Sequence, residues 1–149
     1  MRLAMRLTVV AALVASTNIA QAESKHAPAG VFVTVLPVLD HVERTAHVES
    51  IRTRLGGSSL LHDKHVDVNV TRLTWVTVDN CVEVQVELAF VMSTTKNEIV
   101  SIARQTAKLV MPKGQFSIGK LPALRREVLD NALGDLLFKL RRAAVVRSV

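Results

Sequence analysis

The feature that most constrains the fold is the stretch from Val82 to Met92, in which apolar residues alternate with others. Every even-numbered position from 82 to 92 is apolar, whereas Glu83, Gln85 and Glu87 occupy odd positions. A period of two places all the apolar side chains on one face of an extended chain. The stretch is therefore predicted to be a β-strand with one buried face.

The preceding segment, His65 to Val78, is rich in β-branched residues and predicts a second strand. Asp79 and Asn80 connect the two strands, and both residue types tolerate the left-handed conformation of tight turns. The sequence thus predicts a β-hairpin with a two-residue turn, in which Trp75 faces Val84 and Leu73 faces Val86.

An uninterrupted hairpin register would conflict with the apolar pattern farther from the turn. It would place Thr71 and Asn69 opposite Leu88 and Phe90, so that polar side chains would face the core. One extra residue at Thr71 and Arg72 removes the conflict, because the valines then lie opposite the apolar positions. We therefore predict a β-bulge there, with Val70, Val68 and Val66 opposite Leu88, Phe90 and Met92.

The amino-terminal residues 1–22 have the form of a secretory signal peptide. A basic start, Met1 to Arg6, precedes an apolar run over 7–15, and the segment closes on Ala20-Gln21-Ala22. We expect cleavage between Ala22 and Glu23 and a secreted or periplasmic mature chain; a membrane anchor or a buried helix is the alternative. No cysteine directly follows the apolar run, so lipid anchoring is not expected.

Residues 23–30 are polar and contain Pro28 and Gly30, which is typical of a disordered lead-in. The remaining residues, 31–149, suit one domain of ordinary size. Val31 to Leu36 predicts a short strand, because β-branched and aromatic residues end at Pro37. A shorter surface helix is predicted near 45–55, with Gly56-Gly57 as its stop.

The segment from Glu98 to Met111 fits two patterns. Thr95 and Glu98 have the spacing of a helix capping box, and apolar residues recur at helical spacing after them. Alternatively, Ala107, Leu109 and Met111 alternate as in a strand. We favour a strand over at least 105–111, because a third strand would support a hairpin that is marginal alone.

The carboxyl-terminal segment predicts a long amphipathic helix. Pro122 suits a first helical turn, and Asp135 and Lys139 are spaced as a favourable ion pair. Residues 143–149 could extend the helix, add an edge strand or fray. The helix should lie across the face of the sheet with its apolar stripe, which contains Leu124, Val128, Leu129, Ala132, Leu133, Leu136, Leu137 and Leu140.

Together these elements predict an α/β fold of the two-layer α+β kind. The sheet is expected to be an antiparallel meander of about three to four strands. The carboxyl-terminal helix covers one of its faces, beside the shorter helix near 45–55.

Candidate site residues are few. His62 and His65 could bind one metal ion together if the turn between them is helical, although a zinc site normally needs four ligands; two ordinary loop histidines are the alternative. Cys81 is the only cysteine, and it is either a half-buried apolar residue or a partner in an intermolecular disulfide. No cofactor is expected.

Several functional classes lack their sequence signals. The chain carries a formal charge of +6, but it has no tyrosine and few aromatic residues, so single-stranded nucleic acid would find no stacking platforms. The catalytic glycine-serine, phosphate-loop and His-Glu-x-x-His motifs are absent, and we expect no enzyme. The carboxyl-terminal helix mixes acidic with basic residues, which disfavours a membrane surface.

The hairpin of His65 to Met92, the apolar segment Gln105 to Val110 and the closing helix Ala123 to Leu140 resemble, in order, small uncharacterised secreted bacterial proteins. More distantly the pattern resembles envelope domains of the CsgG and TolB amino-terminal type. The resemblance implies a non-catalytic domain that binds a partner protein in the cell envelope. The rival hypothesis is a metal-binding protein that uses His62 and His65.

Overall fold

The computed structural model describes residues 28–147. The prediction of a signal peptide over 1–22 lies outside these residues, and so does the prediction of a lead-in over 23–30 except for its last three residues, of which Gly30 begins the first strand. Short 3-10 turns occupy Ser59–Leu61, Lys113–Gln115 and Ile118–Lys120. The main elements are β1 (Gly30–Val35), α1 (His41–Gly56), β2 (Lys64–Val78), β3 (Cys81–Thr94), β4 (Ile99–Pro112) and α2 (Leu121–Arg147).

The four strands form one mixed sheet in the order β1-β2-β3-β4. The predicted antiparallel meander is confirmed for β2, β3 and β4, whereas β1 pairs with β2 in parallel. A parallel pair needs a crossover connection, and α1 provides it between β1 and β2. The short helix therefore has a topological role in addition to covering the sheet.

The β2–β3 hairpin has the predicted register. Trp75 pairs with Val84 and Leu73 with Val86 around the Asp79-Asn80 turn, where Asp79 has a φ of 53°. The register shifts between Val70 and Arg72, so the predicted β-bulge is confirmed. Beyond it, the valines meet the core positions of β3 as expected: Val70 pairs with Leu88, Val68 with Phe90 and Val66 with Met92.

The segment that fitted two patterns is strand β4, so the helical alternative is wrong. The Thr95 capping box does not form; instead the Thr94 hydroxyl accepts hydrogen bonds from the backbone N–H groups of Lys96 and Glu98. Asn97 closes this turn with a φ of 65°. The turn returns the chain along β3, and β4 becomes an edge strand of 14 residues.

One hydrophobic core lies between the sheet and the two helices. The alternating side chains of β3 from Val82 to Phe90 point into it and are each at most 1% exposed. The apolar stripe of α2 covers them, which confirms the predicted packing, and Leu124 is only partly buried. The helix continues to Arg147, so residues 143–147 of the tail extend it. The buried α2 residues are Leu121, Val128, Leu129, Ala132, Leu133, Leu136, Leu137 and Leu140.

The predicted Asp135–Lys139 pair is not formed. Lys139 instead donates a hydrogen bond of 2.8 Å from Nζ to Oε1 of Gln105, a residue of β4 that is only 7% exposed. Leaving the buried Gln105 amide without a partner would cost free energy, whereas an exposed ion pair within a helix contributes little. The hydrogen bond to Gln105 is therefore the more stabilising contact for Lys139. This bond ties α2 to the sheet.

A second polar contact joins the helices. Asp40 caps the start of α1 by accepting from the N–H groups of Val42 and Glu43. The Glu43 carboxylate then accepts from Arg125 Nη1 of α2 at 3.0 and 3.1 Å, and from His47 Nε2 at 3.2 Å. We call Glu43, His47 and Arg125 the helix latch. Its charges are compensated inside the interface between α1 and α2.

Candidate functional site

The sheet presents one face to the helices and leaves the other, here called the open face, without a helix among the described residues. On β3 the open face carries the odd-numbered side chains, all of intermediate exposure from Cys81 to Val91. On β4 it carries Ile102, which is 67% exposed, and Val110, which is 53% exposed. The open face is therefore accessible, and part of it is apolar.

Apolar side chains gather on the open face beside the β2–β3 turn. Register places Val78, Cys81 and Pro112 side by side in one row, and Val76, Glu83 and Val110 in the next. The three valines are 39–53% exposed. We call the apolar members the hairpin-end patch: Val76, Val78, Cys81, Val110 and Pro112.

Polar side chains lie within this patch, between Val76 and Val110, and beside it toward the middle of the sheet. Glu83 accepts hydrogen bonds from Gln85 Nε2 at 3.0 Å and from Lys108 Nζ at 3.4 Å. The neighbouring row of the register is Thr74, Gln85 and Lys108. Exposed apolar side chains beside hydrogen-bonding ones are also found in protein–protein interfaces.

Cys81 is half-buried at the start of β3 and is a free thiol. Its side chain lies on the open face within the hairpin-end patch, between Val78 and Pro112 in the register. The position agrees with a small, half-buried apolar residue. Pairing with a second chain stays a prediction.

The two histidines of the metal hypothesis point to different partners. His62 is 77% exposed at its side chain, with Nδ1 at 3.0 Å from Asp63. The ring of His65 stacks on Phe32, and its Nδ1 and Nε2 lie 2.8 Å from the Pro28 carbonyl oxygen and 3.0 Å from Asp67. Both ring nitrogens of His65 are thus already directed at oxygen atoms.

The turn between these histidines is not helical, contrary to the condition of the metal hypothesis. Asp63 has a φ of 58°, and β2 begins at Lys64. Between residues 28 and 147, no group of three or more His, Cys, Asp or Glu side chains is arranged to hold a metal ion. Metal binding by His62 and His65 therefore stays a hypothesis without a supporting geometry.

The helix latch is the polar constellation that the sequence patterns did not predict. A carboxylate beside an imidazole could serve acid–base chemistry, but His47 is only 3% exposed and Glu43 already bonds both His47 and Arg125. Glu43 and His47 have the i,i+4 spacing of a helical pair, which was the one available signal. Arg125 is 82 residues away from Glu43, and no local pattern connects them.

Over the described part of the chain, neither helix is both long enough and apolar enough to cross a bilayer. The longer helix, α2, has charged residues along its exposed side, including Arg126 and Glu127. These charges explain why α2 is not apolar enough to cross a bilayer.

The chain is similar in fold to solved structures, but it matches no known protein family. No protein-family model and no curated protein matches the chain. Among solved structures, a candidate lipoprotein from Caulobacter crescentus is similar, with a TM-score of 0.54 and 12% identity over 78% of this chain and 91% of that chain. A Xanthomonas campestris protein of the DUF330 family has a TM-score of 0.55 and 11% identity over 83% and 90% of the two chains.

At these identities the likeness concerns the fold alone. It extends over most of the described residues and nearly all of each compared protein. The distant resemblance to the CsgG and TolB types stays a prediction. The chain thus has the α+β fold of small bacterial proteins, one of them a candidate lipoprotein.

Proposed function

We propose that this protein is a non-catalytic domain of the bacterial cell envelope that binds a partner protein through the hairpin-end patch. The observation that carries the proposal is the exposure of Val76 and Val78 on β2 and of Val110 on β4, all on the face without helices. Exposed apolar side chains are common singly, but a contiguous group with a polar border is typical of an interaction site.

The geometry of the patch favours a protein partner. Its side chains stand on three adjacent strands, so they form a broad surface and not a narrow pocket. The Glu83 carboxylate between Val76 and Val110 disfavours contact with the apolar interior of a membrane, where its charge would be costly to bury. A protein surface can instead offer a hydrogen-bond donor to Glu83, Gln85 or Lys108.

The envelope location rests on two separate supports. Residues 1–22 have the form of a signal peptide, and the fold is shared with a candidate lipoprotein from a bacterium. The non-catalytic role rests on the side chains themselves. The one buried acid–base cluster in residues 28–147 that could resemble a catalytic group is the helix latch, whose members bond to one another between two helices.

The test is a crosslinking pull-down from a periplasmic extract with purified wild-type protein and two matched variants. Val110→Asp places a charge in the hairpin-end patch, whereas Val42→Asp makes the same change at a valine of α1 that is 78% exposed. We expect one crosslinked partner with wild type and with Val42→Asp, and at least about a tenfold loss with Val110→Asp.

Thermal melts of the three proteins show whether each is folded before capture is compared. Equal capture by Val110→Asp and wild type would contradict the hairpin-end patch as the binding site. A change in capture by Val42→Asp alone would point to the helical side of the molecule. Absence of any crosslinked partner in the extract would contradict partner binding in this compartment.

A further inference from the structure

A second candidate site lies at the opposite end of the molecule from the hairpin-end patch. There, an apolar cavity of about 350 Å³ opens between the last turns of α2, the 3-10 turn before β2 and the far ends of β3 and β4. Most of its lining is hydrocarbon. The apolar wall is formed by Leu60, Leu61, Met92, Val100, Leu140 and Ala143.

Two basic side chains line the same cavity. Lys64 is the first residue of β2, and Arg147 is the last residue of α2. In the described residues neither side chain forms an ion pair or a hydrogen bond, and no acidic residue contributes to the lining. The positive charge of Arg147 interacts favourably with the dipole at the carboxyl terminus of α2. Lys64, at the start of a strand, has no such interaction. The lining therefore carries positive charge that no acidic residue of the lining compensates.

We propose that this cavity binds a fatty acid, with the alkyl chain against the apolar wall and the carboxylate at Lys64 and Arg147. Charge complementarity selects an anionic head group. The volume is near the lower end of the usual range for ligand pockets, about 300–1,000 Å³, so one alkyl chain fits better than two.

The polarity of the lining argues against a peptide as the occupant. Apart from the two cations, Ser101 is the only side chain in the lining that can form hydrogen bonds. A peptide would bring N–H and C=O groups that lose their water without gaining partners, which is costly. An alkyl chain has no such groups and gains from burial alone.

The test is isothermal titration calorimetry of the purified protein with three amphiphiles of one chain length, each below the concentration at which it forms micelles or separates from water. Sodium dodecanoate carries a negative head group, dodecanol a neutral one and dodecyltrimethylammonium a positive one. We expect saturable binding of dodecanoate at one molecule per chain. Its affinity should exceed that of dodecanol by at least about fivefold, the effect of one partly exposed charge pair.

Variants locate the site. Ala143→Phe should fill the cavity and abolish binding, and because Ala143 is exposed on α2 the change should not disturb the core. Lys64→Ala should weaken dodecanoate binding by about fivefold and leave dodecanol unchanged. Lys113→Ala removes an exposed lysine outside the cavity and should have no effect.

Three results would overturn the inference. The first is no saturable binding of dodecanoate. The second is equal affinity for all three amphiphiles, which is the behaviour of unspecific adsorption. The third is binding that Lys64→Ala and Ala143→Phe leave at the level of Lys113→Ala. Because the hairpin-end patch is at the other end of the sheet, none of these results depends on partner binding by that patch.

Discussion

The two faces of strand β3 have different environments although their residues alternate along one stretch of the chain. Its even-numbered side chains from Val82 to Phe90 are at most 1% exposed beneath the helices. Its odd-numbered side chains, among them Glu83 and Val91, are only half-buried on the open face. The covered face therefore supplies the stability of the domain, and the open face can change its chemistry at little cost to folding.

The strongest test of this contrast is a charge beneath the helices. Leu133 of α2 is fully buried, and Leu133→Asp would place an unpaired carboxylate in the core at a cost of several kcal/mol. We expect loss of the cooperative thermal transition. Phe138→Asp is the control, since Phe138 is on the same helix and 59% exposed. A wild-type melt for Leu133→Asp would show that α2 does not cover the sheet.

The next largest effect on the free energy of unfolding is expected when side chains on the two faces of β3 are shortened. Leu88→Ala leaves a cavity in the core and should lower the free energy of unfolding by about 3 kcal/mol. Val91→Ala removes methyl groups that are half-buried on the open face, and should lower it by less than about 1 kcal/mol. Urea denaturation measures both values. Equal losses would mean that the open face is packed as tightly as the covered one.

A smaller loss of folding stability is expected from breaking the helix latch, the cluster of charged side chains between α1 and α2. Glu43→Ala leaves the Arg125 guanidinium without its carboxylate in a site where the two side chains are only 17% and 11% exposed. Because some solvent reaches them, we expect about 2 kcal/mol of destabilisation, less than for a fully buried pair.

Glu49→Ala is the control for the helix latch, because Glu49 pairs with Arg52 on the exposed side of the same helix. Its effect should stay below about 0.5 kcal/mol. Chemical denaturation of both variants under identical conditions makes the comparison. A similar small loss for Glu43→Ala would mean that water screens the helix latch as fully as the surface pair.

The smallest effect concerns the contact between the two helices at Gly134. A Cβ atom there would lie 3.1 Å from Nη2 of Arg54, the end of a flexible side chain that is 42% exposed and can move aside. Alanine is favoured over glycine within a helix, so Gly134→Ala should raise the free energy of unfolding by about 0.5 kcal/mol. A loss of stability in the thermal melt would show that Arg54 is held in place.

The hairpin could be predicted in detail because two local constraints agree. The turn residues Asp79 and Asn80 fix the register near the loop, and the alternating residues of β3 fix it farther away. The two registers differ by one residue, so the bulge between Val70 and Arg72 follows from the sequence alone. The apolar stripe of α2 was equally clear because it repeats over many turns.

What could not be predicted depends on contacts between distant segments. The parallel pairing of β1 follows from the crossover of α1 and has no turn signal. The hydrogen bonds from Arg125 to Glu43 and from Lys139 to Gln105 form only when α2 packs on the other elements. The hairpin-end patch likewise combines residues of three strands, although each contributing strand has an ordinary sequence.

The bulge in β2 also determines which valines are exposed. Before it, the even-numbered Val66, Val68 and Val70 face the core, and after it the inward side passes to the odd-numbered positions. Val76 and Val78 continue the even series and so are turned outward. The inserted residue therefore acts on both sides of the sheet: it allows both halves of β2 to bury apolar side chains, and it determines which valines reach solvent at the hairpin end.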